Sequence, residues 1–193
     1  MVTFTEKKSR VTFTEKKSNE LVLTYIDGST KEIFIESDNI SEYDIEYDRE
    51  NLTSVEIPNS VKYIRMNTFT NCENLKSIEI PNSVKHIGEG AFESCVNLKS
   101  IKIPNSVKHI GENAFYSCKS LKSIEIPNSV TKIEEDAFNK CENLTSIKIP
   151  NSVIEIGDNA FKGCKNLKSV EIPNSVKKLG KKAFPETCKV IRK

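Results

Sequence analysis

The sequence lacks several features that mark large classes of proteins. It contains no Trp, aromatic residues make up 7% of it, and hydrophobic residues make up 37%, which is little for one thick globular core. Its apolar runs are only a few residues long, so we expect no insertion into a membrane. Lys and Arg number 29 against 27 Asp and Glu, and this net charge of +2 argues against a nucleic-acid partner.

The amino terminus shows no targeting signal. The opening residues, MVTFTEKKSR, contain neither the apolar stretch nor the small-residue cleavage site of a secretory signal. By sequence alone, this start is typical of a cytoplasmic protein. The six Cys therefore do not by themselves indicate disulfides.

Sequence signatures of catalysis are missing as well. The seven Gly are scattered, and the patterns GxGxxG, GxxxxGK[ST] and HExxH do not occur. Only two His are present, and neither shares a predicted face with the regularly spaced Ser that could otherwise act as a nucleophile. We therefore expect a protein that is not an enzyme and that needs no cofactor.

The sequence does contain a repeat of 23 residues, which decides the fold class. The unit reads L-x-S-[IV]-x-I-P-N-S-V-x-x-[IL]-G-x-x-A-F-x-x-C-x-N, and six copies of 23 cover 138 of the 193 residues. One copy buries too few apolar side chains to offset the entropy lost on ordering it, so the copies must stack. The residues that keep the step are Pro58, Pro81, Pro104, Pro127, Pro150 and Pro173, Phe69, Phe92, Phe115, Phe138, Phe161 and Phe184, and Cys72, Cys95, Cys118, Cys141 and Cys164.

Each copy predicts one coil of a solenoid. In residues 75–80, Ile78 and Ile80 alternate with Ser77 and Glu79, as in a half-buried strand. Pro-Asn-Ser ends the strand because Pro cannot donate to the ladder and Asn and Ser favour turns. An extended return follows, and A-F-x-x-C predicts one helical turn that directs Phe into the core.

This unit resembles the leucine-rich repeat, in particular its BspA-like (treponemal-type) class, LxxIxIPxxVxxIGxxAFxxCxxL, over residues 52 to about 190. The resemblance implies a leucine-rich-repeat solenoid with parallel β strands stacked on the concave face, short extended segments and helical turns on the other side, and capped ends. It also implies a recognition protein that is secreted or at the cell surface. One slot departs from the commonest pattern, because Ser replaces Asn or Cys at Ser60, Ser83, Ser106, Ser129, Ser152 and Ser175.

The segments outside the repeats predict caps. Residues 2–9 recur as residues 11–18, which is typical of either a short strand or a flexible start. Asp27-Gly28 between two apolar runs is a strong hairpin signal. The predicted division is residues 1–20 for the duplicated segment, 21–51 for an N-terminal cap with a β-hairpin, 52–189 for six repeats and 190–193 for the end of a C-terminal cap.

Two columns of the repeat are candidates for metal ligands. The Cys column has no C-x-x-C pair and no His, so it predicts buried structural thiols, although neighbours about 5 Å apart would also be within disulfide range. His86 and His109 share one slot, with Tyr63 before them and Lys132 after them, and no third ligand is evident. We therefore predict a solvated surface pair and no metal site.

The outward positions of the strands are the candidate binding surface, since in such solenoids they line an extended concave surface. One column alternates in charge from Glu79 to Glu171, and this alternation alone would favour the stacked register without any partner. Uniform Ser and few aromatic residues argue against a strong hot spot. The predicted partner-binding residues are Lys76, Ser77, Glu79, Lys99, Ser100, Lys102, Lys122, Ser123, Glu125, Ser146 and Lys148.

These observations predict a non-catalytic recognition scaffold that binds a protein, or alternatively a glycan, across the concave face. The near-identity of the copies favours a second hypothesis: a structural spacer or adhesin-type surface protein, or a fragment of a longer repeat array. The sequence does not indicate an oligomeric state.

Overall fold

The computed structural model describes residues 19–45 and 49–193, and the duplicated segments 2–9 and 11–18 lie outside the described residues. The described chain forms a solenoid of about seven turns with stacked parallel strands and little helix. The predicted leucine-rich-repeat solenoid is thereby confirmed.

The chain enters the solenoid through an antiparallel hairpin. Strands β1 (Glu20–Tyr25) and β2 (Thr30–Phe34) pair across a turn in which Gly28 has a φ of 82°, a conformation that glycine adopts without steric cost. Strand β1 also pairs antiparallel with the first strand of the first coil. A two-residue strand β3 (Asn39–Ile40) and two 3₁₀ turns, Glu42–Ile45 and Arg49–Asn51, complete this end.

Each coil then contributes a first strand and a short second strand. The first strands are β4 (Leu52–Glu56), β6 (Ser77–Glu79), β9 (Ser123–Glu125), β11 (Ser146–Lys148) and β13 (Ser169–Ile172). The second strands are β5 (Tyr63–Ile64), β7 (His86–Ile87), β8 (His109–Ile110), β10 (Lys132–Ile133), β12 (Glu155–Ile156) and β14 (Lys178–Leu179). The third coil contributes only a bridge between Lys102 and Glu79 in place of a first strand. Strand β15 (Lys189–Arg192) pairs parallel with β13.

Backbone hydrogen bonds join the coils along the second strands and also along the turn segment. At the second strands, the amide of Gly88 donates to Ile64 of the coil before it at 2.8 Å. At the turns the direction reverses, since the amide of Phe92 donates to Ala114 of the coil after it at 2.8 Å. Neighbouring coils are therefore tied together on more than one side of the solenoid.

The A-F-x-x-C segment folds as a series of hydrogen-bonded turns where one helical turn was predicted. In the second coil the amide of Cys95 donates to the carbonyl of Phe92, three residues earlier. Gly90 and Ser94 have φ values of 57° and 59°, so a right-handed helix cannot continue through them. This backbone frees alternate amides to reach the next coil, which is why the inter-coil bonds form here.

The core is one continuous cluster that runs from Leu21 in the hairpin to Phe184 in the last coil. Its centre is a stack of six phenylalanines whose neighbouring ring centroids lie 5.2 to 5.3 Å apart, with interplanar angles of 14° or less. This spacing is the axial distance between coils at the core. Every internal Phe thus packs against the equivalent side chain on both sides.

The Ser that replaces Asn or Cys in the repeat lies at the edge of this core. The hydroxyl of Ser129 donates to the carbonyl of Val107 in the preceding coil. The hydroxyls of the other five are buried and have no hydrogen-bond partner within the described ranges. A continuous side-chain ladder is therefore not what holds the coils in register.

Candidate functional site

The outward side of the first strands presents four parallel columns of polar side chains, which we call the first-strand face. Each column takes one residue from each coil because side chains alternate across a strand and the register repeats every 23 residues. The serine column comprises Ser54, Ser77, Ser100, Ser123, Ser146 and Ser169, and the charged column comprises Glu56, Glu79, Lys102, Glu125, Lys148 and Glu171. The lysine column comprises Lys76, Lys99, Lys122 and Lys168, with Thr53 and Thr145 in the other two coils, and the asparagine column comprises Asn59, Asn82, Asn105, Asn128, Asn151 and Asn174.

A shallow groove follows the axis of the solenoid along this face. It consists of four concavities of about 500 to 640 Å³, between the charged column and the Pro-Asn turns. Neighbouring concavities share lining residues: Lys102 lies in the first two, and Lys148 lines the others. The groove is therefore continuous from the first coil to the last.

The charges in the groove are not neutralised by one another. Within the part of the chain that the structure describes, no ion pair within 4.0 Å joins Glu79, Lys102, Glu125 and Lys148. Glu171 at the far end is the exception, since it contacts the ammonium of Lys193. Neighbouring opposite charges thus lower the electrostatic energy of the column without closing it to a ligand.

The structure brings the eleven predicted site residues together on the first-strand face, and all of them are exposed. Sequence reasoning missed the asparagine column, because Asn after Pro was explained as a turn former. The missing signal was periodicity: a carboxamide that recurs in six coils at an exposed slot is also a row of hydrogen-bond donors and acceptors. The groove can therefore bind an extended polar partner through amides, hydroxyls and charges of both signs.

The cysteine column takes no part in this surface. Cys72, Cys95, Cys118, Cys141 and Cys164 are buried and free, as predicted, and Cys188 is partly exposed. Burial raises the pKa of Cys72 to about 12, and it raises the pKa of Cys118 further, so neither thiol ionises at neutral pH. These thiols are core side chains.

The two histidines lie on the second strands, away from the groove. The ring of His86 stacks on Tyr63 with centroids 5.0 Å apart and lies 6.2 Å from the ring of His109. Burial, followed by the charges of His109, Lys108 and Lys85, lowers the pKa of His86. Across residues 19–45 and 49–193, no three His, Cys, Asp or Glu side chains are grouped so that they could hold a metal ion.

The described residues also contain no helix with the length and apolar character of a membrane span.

Comparison with known proteins places this architecture. The model of the BspA type leucine rich repeat region, with six copies, matches residues 38–151 and 131–192. A leucine rich cell surface protein from Faecalibacterium prausnitzii A2-165 is 29% identical, with a TM-score of 0.68 over 93% of this chain and 53% of that chain. A leucine rich repeat protein from T. pallidum is 30% identical, with a TM-score of 0.60 over 71% of this chain and 72% of that chain. A leucine-rich repeat protein from Bacteroides ovatus ATCC 8483 is 25% identical, with a TM-score of 0.57 over 97% and 52%.

The chain spans about half the length of the Faecalibacterium and Bacteroides proteins. No curated protein matches it significantly. The family model nevertheless covers most of the sequence, and the stacked coils agree with the solved structures. The chain belongs to the BspA-type leucine-rich repeat family, a family of repeat scaffolds that generally act in protein interactions or at surfaces.

Proposed function

We propose that the protein is a non-catalytic recognition scaffold that binds an extended macromolecular partner along the groove of the first-strand face. The partner lies parallel to the solenoid axis and contacts the eleven residues predicted from the sequence together with the asparagine column. In this proposal residues 52–189 form the six binding coils, residues 21–51 cover the first coil, and residues 190–193 belong to the cap at the other end.

The observation that supports the proposal is the set of unpaired charges in a continuous groove. Lys102 and Lys148 are exposed and make no ion pair within 4.0 Å with a described residue, and the asparagine column is exposed beside them. A column that served stacking alone would gain most from closed ion pairs between neighbouring strands. The open arrangement leaves these charges available to a partner.

The test is charge reversal in the groove. The variant Lys102→Glu/Lys148→Glu is expected to lose capture of native partners in pull-down from the host, because both reversals place like charges beside Glu79, Glu125 and Glu171. The matched control is Lys85→Glu/Lys108→Glu, which makes the same change in net charge at exposed positions beside the second strands. Unchanged capture by the groove variant, with an intact fold by circular dichroism, would place the binding surface elsewhere.

A structural spacer at the cell surface is the second candidate. Two observations favour it: the coils are nearly identical, and the chain spans only about half of two larger relatives, one of which is described as a cell surface protein. A spacer needs length and rigidity, so neither charge-reversal variant should then alter any interaction.

A further inference from the structure

We propose that a track of lysines along the first-strand face binds a linear acidic polysaccharide. The lysine track consists of the lysine column and the cleft into which that column leads at the last coil, and its members are Lys76, Lys99, Lys122, Lys162, Lys165, Lys168 and Lys182. The inference rests on the proposed function, because the column belongs to the proposed recognition face, and it adds the chemical class of the partner.

The lysine column differs from the charged column in having one sign only. Lys76, Lys99 and Lys122 occupy the same exposed slot in three successive coils, which stack 5.2 Å apart at the core. None of the three has an ion pair within 4.0 Å among the described residues. Like charges on neighbouring strands destabilise a sheet. An anionic chain lying along the column would remove this repulsion.

The column leads into a cleft of about 460 Å³ at the last two coils. Lys162, Lys165, Lys168 and Lys182 line it, with Phe184, Pro185, Glu186 and Thr187 completing the wall. The ammonium of Lys168 donates to the carbonyl of Lys165 at 3.2 Å, which places the column and the cleft side by side. Of the four ammonium groups, that of Lys165 contacts a carboxylate, Glu142, at 3.0 Å. The cleft therefore concentrates positive charge that the described residues only partly balance.

Lys182 occupies a backbone position that does not suit lysine. Its φ is 52°, and the equivalent position in every other coil is also left-handed. The other five coils use residues that tolerate this conformation, namely Asn67, Gly90, Asn113, Asp136 and Asn159. Only the coil that forms the cleft places a long cation there. Backbone strain of this kind is characteristic of positions kept for a functional side chain.

The chemistry of the track favours a polysaccharide over a protein segment or a nucleic acid. Protein hot spots are built from Trp, Tyr and Arg in apolar pockets, and none of the exposed large hydrophobic side chains in the described chain belongs to the track. Single-stranded nucleic acids need aromatic platforms for their bases, which the track also lacks. Lysine supplies point charges for sulfate or carboxylate groups. The adjacent serine and asparagine columns supply hydrogen bonds to sugar hydroxyls.

The experiment measures binding of heparin, a linear sulfated polysaccharide, to the full chain at several salt concentrations by isothermal titration calorimetry. We compare the wild type with Lys76→Gln/Lys99→Gln/Lys122→Gln and with the control Lys85→Gln/Lys108→Gln/Lys177→Gln, which has the same net charge. The track variant is expected to bind about tenfold more weakly or worse and to lower the slope of log K against log salt by about two to three, since each lost contact releases roughly one counterion fewer. The control is expected to match the wild type within about twofold.

A second variant, Lys182→Asn, separates binding from folding. Asn tolerates the left-handed backbone better than Lys, so the variant is expected to melt at a higher temperature than the wild type and still bind heparin more weakly. A purely structural role for Lys182 would not produce both changes.

Three results would overturn the proposal. They are no binding of heparin by the wild type, equal loss in the track and control variants, or binding of poly-glutamate of matched charge as tightly as heparin, which would assign the track to acidic protein segments. Failure here leaves the proposed function intact if the Lys102→Glu/Lys148→Glu variant still loses its partner. If that variant retains its partner while heparin binds the track, the broader groove proposal alone is wrong.

Discussion

At the scale of single residues, the buried cysteines are hydrogen-bond donors as well as core side chains. The thiols of Cys95, Cys118, Cys141 and Cys164 each donate to the carbonyl of the Phe in the preceding coil at 3.2 Å. Each thiol is thus enclosed between two coils, and burial holds its proton in place. Their role is to fill the space behind the phenylalanine stack while satisfying a backbone carbonyl.

This arrangement predicts the accessibility of the thiols. At pH 8 the native protein should react with Ellman's reagent only at the partly exposed Cys188, because the thiolate is the reactive species and burial raises the pKa of the thiols in the core. The remaining five should react together when urea unfolds the chain. Rapid modification of two or more thiols in the native protein would contradict the enclosed geometry.

His86 predicts a dependence of stability on pH. Burial and the nearby positive charges lower its pKa in the folded state below the ordinary value of 6.5. The folded chain therefore binds fewer protons than the unfolded chain, so the stabilising contribution is present above pH 6.5 and is lost as the pH falls through that value towards the folded pKa. His86→Gln should lose less free energy of unfolding than the wild type between pH 7.5 and 5.5 in urea titrations. Equal losses in the two proteins would show that His86 does not contribute.

At the scale of elements, the first coil has turn carbonyls that no earlier coil can bind. In later coils these carbonyls accept amides from the preceding turn, as Glu93 accepts from Asn71. In the first coil the guanidinium of Arg49 takes this place and donates to the carbonyls of Asn67 and Thr70 at 3.1 Å, and it also donates to Glu42 at 3.1 Å. A single side chain thus closes the end of the turn ladder.

Arg49→Met is expected to lower the free energy of unfolding by about 1 to 3 kcal/mol, because it leaves buried carbonyls without a donor while keeping the aliphatic packing. Arg49→Lys should fall between Met and the wild type, since one ammonium cannot span three carbonyls. Urea unfolding followed by circular dichroism measures both. A Met variant as stable as the wild type would mean that solvent satisfies these carbonyls.

The phenylalanine stack predicts that position along the solenoid decides the cost of a cavity. Phe115 packs between Phe92 and Phe138, whereas Phe184 packs against Phe161 on one side only. Phe115→Ala should cost about 3 to 5 kcal/mol, and Phe184→Ala clearly less. Thermal and urea denaturation of the two variants gives the comparison. Equal costs would argue against a stack in which each ring has two partners.

At the scale of the whole molecule, the period of 23 residues was enough to predict the coil, the buried columns and the exposed face. That succeeded because each slot of the repeat has the same environment in every coil, so one alternating pattern such as Ser77-Ile78-Glu79 predicts all the others. The hydrogen-bonded turn ladder was not predictable, since it depends on left-handed residues such as Ser94 that no propensity favours. Nor was the role of Arg49, because it joins residues that are 18 and 21 positions apart outside the repeat register.

The binding groove was predicted only in part for a related reason. The repeat identified the lysine, serine and charged columns, but whether opposite charges on neighbouring coils close into ion pairs is decided by side-chain geometry. The cleft beside Lys168 also lay outside reach, because it forms where the last coil departs from the pattern at Pro185.

The central claim is that stability comes from stacking: each coil is held by its neighbours and none folds alone. Equilibrium urea unfolding of the full chain, of a variant lacking residues 98–120, and of a variant lacking residues 98–143 tests it most directly. The account predicts folded, shorter solenoids whose free energy of unfolding falls by a similar amount for each coil removed, as expected for nearest-neighbour coupling. It also predicts that a peptide of residues 98–120 is unfolded in water. A folded isolated coil, or a deletion that leaves the free energy of unfolding unchanged, would contradict it.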